Sequence, residues 1–160
     1  MIMGCDNLSI SQDSNVVEIW TDGGCKPNPG PGGWGVLLRY QGKERELSGG
    51  EKQTTNNRME LTAVAEALEV LRWPCCVNLY TDSEYVRNGM TRWHTEWIRR
   101  NWRKSSGGLV MNVDLWRRIF NVVGRHEVRW FWVKGHSGVI ENERVDEIAR
   151  RAREIVEQEG

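Results

Sequence analysis

Val16-Val17-Glu18-Ile19-Trp20-Thr21-Asp22-Gly23-Gly24 is a short run of β-branched and aromatic residues that ends on an acid and two glycines. It predicts a strand over 16–21, closed by Asp22-Gly23-Gly24. Further along, Val77-Asn78-Leu79-Tyr80-Thr81-Asp82-Ser83 repeats the pattern: an apolar strand, then Thr, then Asp. In α/β sheets, ligands bind outside the carboxyl ends of strands, where the topology switches. If the two strands are parallel neighbours, Asp22 and Asp82 emerge side by side.

The segments around these strands set the class. Asn28-Pro29-Gly30-Pro31-Gly32-Gly33 reads as a turn cluster. Trp34 to Tyr40, the turn Gln41-Gly42, and Glu44 to Gly49 read as a hairpin, so the first three strands form an antiparallel meander. Thr54-Thr55-Asn56-Asn57 can cap a helix carrying Leu61, Val64, Leu68 and Leu71, which Pro74 stops. A short helix spans 83–89. Ser105-Ser106-Gly107-Gly108 is a flexible loop, and Asn112 caps a helix with Trp116, Ile119, Phe120 and Val123. Val128 to Val133 is a third core strand, and 135–138 is a loop. The last helix carries a stripe of Val145, Ile148, Ala149, Ala152, Ile155 and Val156. This order implies an α/β fold, a mixed sheet with helices on its faces. Residues 1–15 are polar and aperiodic, a mobile tail; residues 16–160 form a single domain without repeat or linker.

Composition excludes several classes. The 160 residues hold 22 Lys+Arg against 22 Asp+Glu, so the chain is not a globally basic nucleic-acid binder. With 39% hydrophobic residues and 9 Trp it can bury a core and is not disordered. No apolar run approaches the roughly 18 residues of a membrane span, and the start lacks a secretory signal pattern. The four Cys have no metal-ligand spacing. Cys75 and Cys76 sit among apolar neighbours, as buried thiols of a reducing compartment do. His94 and His126 read as surface or satisfied core residues.

Two further acids stand out. Glu60 falls in the first turn of the long helix, where the helix dipole favours an ionised carboxylate. Asp146 borders the stripe of the last helix. Each acid alone has an ordinary reading: Asp22 opens a turn, Asp82 caps a helix, and Glu60 and Asp146 are solvated. Together they would repel one another, and hard divalent cations relieve that repulsion. Two such ions, roughly 4 Å apart, can activate water and stabilise a leaving oxygen.

At this point the sequence resembles type I ribonuclease H of the bacterial kind. The resemblance lies in Thr21-Asp22-Gly23-Gly24-Cys25 with Asn28 to Gly35, Thr54 to Leu61, Thr81 to Val86, Asn112 to Trp116, and Trp132-Val133-Lys134-Gly135-His136-Ser137-Gly138 with Glu141 to Glu147. It spans about residues 17–152 in order. It implies a five-stranded mixed sheet and hydrolysis of the RNA strand of an RNA–DNA hybrid, leaving 5′-phosphate and 3′-hydroxyl ends. It implies two Mg²⁺ ions, replaceable by Mn²⁺, on Asp22, Glu60, Asp82 and Asp146, with Asp22 bridging. His136 and Glu143 match positions linked to product release. Cys25, Asn28, Thr55, Asn56, Asn57, Glu84 and Asn112 match substrate-contacting positions. Asn side chains donate and accept, which suits 2′-hydroxyls and base edges. Glu84 departs from the Gln of well-known members, and a carboxylate only accepts. Val139-Ile140 replaces residues that are more polar, or Pro, in relatives.

Charge is segregated even though the total is neutral. Arg87, Arg92, Arg99, Arg100, Arg103 and Lys104 stand against one acid, Glu96, whereas from Glu141 onward seven acids face four Arg. A phosphate-tracking surface needs such segregation. Trp93 and Trp97 read as packing residues, and Trp102 as packing or a contact to DNA sugars. The family's bacterial members carry a basic helical protrusion here, so Arg99, Arg100, Trp102, Arg103 and Lys104 form an in-built handle. The resulting expectation is a cytoplasmic monomer with no obligate protein partner and no membrane association. A related nuclease or transposase, or a silent hybrid-binding module, are the alternatives. A dinucleotide-binding domain is excluded, because no Gly-x-Gly-x-x-Gly joins a strand to a helix.

Overall fold

A computed structural model describes residues 15–134 and 139–159. Five strands form one sheet in the order β3-β2-β1-β4-β5: β1 Val16–Cys25, β2 Gly30–Tyr40, β3 Lys43–Thr54, β4 Cys76–Thr81 and β5 Glu127–Trp132. β1 to β3 are an antiparallel meander, and β4 and β5 run parallel to β1. The helices are α1 Asn56–Glu69, α2 Glu84–Asn88, α3 His94–Arg99, α4 Val113–Val123 and α5 Ile140–Glu159, with a π-helical turn, Gly89–Trp93, between α2 and α3.

The two sheet faces bury different partners. Val17, Ile19, Val36, Leu38, Val77 and Leu79 point toward α1 and α4 and form the main core with Met59, Leu61, Val64, Leu68, Trp116 and Ile119. Trp20 and Leu37 point the other way and pack on Val145 and Ile148 of α5. α1 is buried on nearly every side from Met59 to Leu68, as a helix caught between a sheet and a second helix must be. The mixed sheet with helices on both faces is as expected.

Three local readings are corrected. β1 does not stop at Asp22: Gly23, Gly24 and Cys25 pair with Trp34, Gly33 and Gly32. The supposed turn glycines at 30–33 therefore begin β2, with a register shift between Gly30 and Gly32. Their smallness serves packing, since a Cβ on Gly33 would lie 2.3 Å from the Ala149 carbonyl oxygen of α5. α1 ends at Glu69, well before Pro74, with Val70 N–H bonded to Glu66 O and Leu71 N–H to Leu68 O; Pro74 restrains only itself and Trp73. Cys76 is disulfide-bonded, while Cys75 and Cys25 are free thiols and Cys75 is only half-buried, so the reading of Cys75 and Cys76 as buried thiols of a reducing compartment fails. His126 takes the core alternative of its reading: it is buried, with Nδ1 accepting from the Cys75 N–H.

Candidate active site

β1 and β4 are parallel neighbours in register, Trp20 opposite Tyr80, so the residues two further on, Asp22 and Asp82, leave the sheet together. Asp22 opens no turn: it lies within β1, opposite Gly35. Asp82 caps no helix either. Ser83 is the N-cap of α2, its Oγ accepting from Val86 N–H at 3.1 Å.

Glu60 joins them through a close backbone approach. A Cβ on Gly23 would sit 2.4 Å from the Met59 carbonyl carbon and 2.7 Å from the Glu60 nitrogen. Glycine at 23 thus lets α1 lie directly against β1 beside Asp22. Ligand oxygens of Asp22, Glu60 and Asp82 all fall within 4.8 Å of one another. Asp146, from α5, lines one cleft with Asp22 and Asp82, together with Thr21, Val133, Asn142, Glu143 and Val145. All four expected carboxylates therefore converge.

The electrostatics correct one reading. Glu60 lies beyond the first turn of α1 and is only 8% exposed. Burial first, then the charges of Asp22 and Asp82, push its carboxyl well above the usual carboxylate range rather than favouring ionisation. Burial, then the Asp82 charge, raise Asp22 to about 7, against hydrogen bonds from Glu60 and the Gly23 N–H; Asp146 adds a smaller push. Among the described residues Glu60 Oε1 is buried with no hydrogen-bond partner. An orphaned buried oxygen within an all-carboxylate donor set fits a hard divalent cation, which prefers oxygen ligands.

The expected groove residues gather at the neighbouring corner. The Cys25 N–H donates to Asn56 Oδ1 at 2.8 Å, while Asn28 Oδ1 accepts from Cys25 Sγ at 3.3 Å and from Asn56 N–H at 3.3 Å. Thr55 N-caps α1, its Oγ1 accepting from Arg58 N–H at 3.2 Å. Asn57 and Glu84 are exposed. Asn112 does not cap α4 through its side chain. It takes a left-handed conformation, φ 60°, and spends both side-chain atoms inside the protein: Oδ1 accepts from Arg58 and Nδ2 donates to the Tyr85 hydroxyl. Arg58 also grips Asp114 with two nitrogens. Arg58, Tyr85 and Asp114 thus hold the ends of α1, α2 and α4 together. Sequence reasoning missed Arg58 and Tyr85, although both lie inside motifs it quoted. It also missed Asn142.

Arg99, Arg100, Arg103 and Lys104 are exposed on α3 and the turn after it. Glu96 pairs with both Arg99 and Arg100, which hold its carboxyl down at about 2. Trp93, Trp97, Trp102, Trp116 and Phe120 form one ring cluster that fastens this segment to the domain. Trp102 is half-buried in it. Glu143 lines the carboxylate cleft; His136 lies outside the described residues.

A family model described as RNase H matches residues 14–154. A ribonuclease H of Gluconobacter oxydans is 67% identical over 138 residues, covering 86% of this chain and 92% of that protein. A solved type 1 ribonuclease H with the type 2 active-site motif superposes with a TM-score of 0.79 at 36% identity, over 88% of this chain and 72% of that one. The LC11 ribonuclease H1, solved in complex with RNA/DNA hybrid, shares the fold with a TM-score of 0.66 at 23% identity, over 87% of this chain and 97% of that one.

Proposed function

Because the chain belongs to the ribonuclease H family, we propose that it hydrolyses the RNA strand of RNA–DNA hybrids with two Mg²⁺ ions, leaving 5′-phosphate and 3′-hydroxyl ends. One observation carries the reading: carboxylates from β1, α1, the end of β4 and α5 meet at the carboxyl end of the central strands. A site that raises Asp22 and Glu60 so far makes little sense for a binder of polyanions, but it suits a cation pair. Bound there, the cations supply an activated water and stabilise the leaving oxygen of a phosphodiester displacement.

The chain's own residues do the rest. Asp22 borders both the Glu60–Asp82 group and the Asp146 cleft, which suits the shared ligand. Glu60 and Asp82 would complete one site and Asp146 the other, and Mn²⁺ would serve in place of Mg²⁺. Cys25, Asn28, Thr55, Asn56 and Asn57 receive the minor groove of the hybrid, where 2′-hydroxyls distinguish RNA from DNA, and Asn112, its side chain held by Arg58 and Tyr85, supports that surface from behind. Glu84 accepts only, which limits it to donors such as a 2′-hydroxyl. Arg99, Arg100, Arg103 and Lys104 track the phosphates, with Trp102 beneath them. His136 and Glu143 assist departure of the product. The protein works as a monomer. No helix among the described residues is long and apolar enough to cross a membrane.

The test is incubation with labelled hybrid, duplex DNA and duplex RNA, with Mg²⁺ and with chelator. Mg²⁺-dependent cutting confined to the RNA of the hybrid supports the proposal; binding without cutting makes the protein a silent hybrid-binding module. For His136→Ala, single turnover should suffer less than multiple turnover if release is its role.

A further inference from the structure

The first turns of α5 have two working sides. Asn142, Glu143, Val145 and Asp146 face the carboxylate cleft. Glu141 and Arg144 face the β2–β3 hairpin instead. There Arg144 donates from Nε to Glu46 Oε2 and from Nη1 to Glu44 Oε1, both at 2.8 Å. Arg39 donates from Nε and Nη2 to Glu44 Oε2, at 2.9 and 2.6 Å, and from Nη1 to Glu141 Oε2 at 3.0 Å. The Arg39 guanidinium also lies 4.9 Å from the centre of the Trp20 ring, two residues before Asp22 in β1. The contacts close a circuit from β1 through β2 and β3 to α5.

We propose that Arg144, backed by Arg39, Glu44 and Glu46, is a positioning residue that sets the start of α5 so that Asp146 faces Asp22 across the metal cleft. The inference rests on the proposed metal site. Val145 and Ile148 pack on Trp20 and Leu37 and fix how deeply α5 sits. Apolar burial is non-directional, so it resists sliding and rotation of the first turns only weakly. Forked guanidinium–carboxylate bonds are directional. Isolated exposed ion pairs contribute little, but several charges joined in one network are the recognised exception, and here Arg144 spans Glu44 and Glu46 while Arg39 spans Glu44 and Glu141. Here two residues three apart on one helix are both held to one hairpin.

The sign of the effect separates positioning from plain electrostatics. Arg144→Ala removes a cation two residues from Asp146 and takes from Glu46 its Arg144 partner, while Glu44 keeps Arg39, so charge alone would tighten binding of a divalent cation. Loss of positioning weakens it. The test is calorimetric Mg²⁺ titration of the full chain, with circular dichroism to verify folding and steady-state kinetics at several Mg²⁺ concentrations. Arg144→Ala should raise the Mg²⁺ dissociation constant about three- to ten-fold, as expected for losing a small network. kcat should fall at limiting Mg²⁺ while KM for hybrid stays the same. Arg144→Lys, which keeps the charge but not the fork, should lie between, and is the variant to read if Arg144→Ala does not fold. Arg151→Ala, which breaks a pair with Glu147 on the same helix, should match the parent. Unchanged or tighter Mg²⁺ binding in both Arg144 variants overturns the clamp alone. No Mg²⁺ binding by the parent overturns the metal-site reading, and the clamp with it.

Discussion

Trp20 and Tyr80 stack with ring centroids 5.0 Å apart and planes inclined by 10°. They are register partners of two parallel strands. Side chains alternate along a strand, so the next residues on the same face are Asp22 and Asp82. The stack thus holds in line the strand ends from which the carboxylates project, and the repulsion between those acids is set against aromatic packing one step back.

Asp22→Asn should abolish cleavage and stabilise the metal-free protein. Asp22 is raised from 3.8 to about 7, by burial and then Asp82, so between about pH 4 and 7 the folded state binds more protons than the unfolded one. Stability without metal should therefore fall as pH rises through that window, by at most about 4 kcal/mol from this group. Denaturant unfolding in chelator, from pH 4 to 8, should show the decline in the parent and a flatter profile in Asp22→Asn. Saturating Mg²⁺ should also flatten the parent's profile, and an equal slope in all three would refute the coupling.

Gly23→Ala should damage the site without touching a carboxylate. Its Cβ would overlap the α1 backbone at Met59 and Glu60, so α1 must shift outward and carry Glu60 with it. Overpacking of this kind costs about 1–3 kcal/mol. The expected outcome is a stability loss in that range with activity reduced far more than the folded fraction; full activity in the folded protein would show that Glu60 tolerates displacement.

His126 should make the fold acid-sensitive. Its Nδ1 accepts from Cys75 N–H at 3.1 Å, tying the loop after α1 to the start of β5, and burial, then the Arg125 charge, hold its pKa below 6.5. The unfolded chain therefore takes up the proton first, and stability is lost as pH falls through 6.5. His126→Ala should cost about 1–3 kcal/mol at neutral pH by orphaning the Cys75 N–H. The same substitution should reduce the decline between pH 6.5 and 5, as read by chemical unfolding.

Replacing Arg103 and Lys104 with Ala should flatten the salt dependence of hybrid binding more than replacing Arg99 and Arg100. Each phosphate contact contributes about 0.9 to the log–log slope on B-form duplex. Glu96 already neutralises part of the Arg99–Arg100 charge, so that pair should contribute less than two full contacts. Filter binding across a salt series measures it; an unchanged slope in both double variants would remove this segment from the phosphate interface.

What the sequence alone determined is local or periodic in origin. The strand runs ending at Asp22 and Asp82, the hairpin around Gln41-Gly42, the buried helix from Met59 to Leu68 and the stripe of α5 follow from side-chain spacing, and the ordered motifs carried the family. What only the tertiary structure decided concerns contacts between distant segments. Gly23 and Gly33 read as turn glycines because a sequence shows what a residue lacks but not what lies against it; their role is to admit the backbones of α1 and α5. Glu60 read as an ionised helix acid because its helix position was visible, whereas its burial against Asp22 and Asp82, which reverses the sign of its shift, depends on three separate elements meeting. Asn112 read as a cap because its type favours caps, yet Arg58 and Tyr85 compete successfully for its amide. Spacing along the chain encodes the neighbours of a residue within one element; neighbours brought in from another element exist only once the sheet order is set.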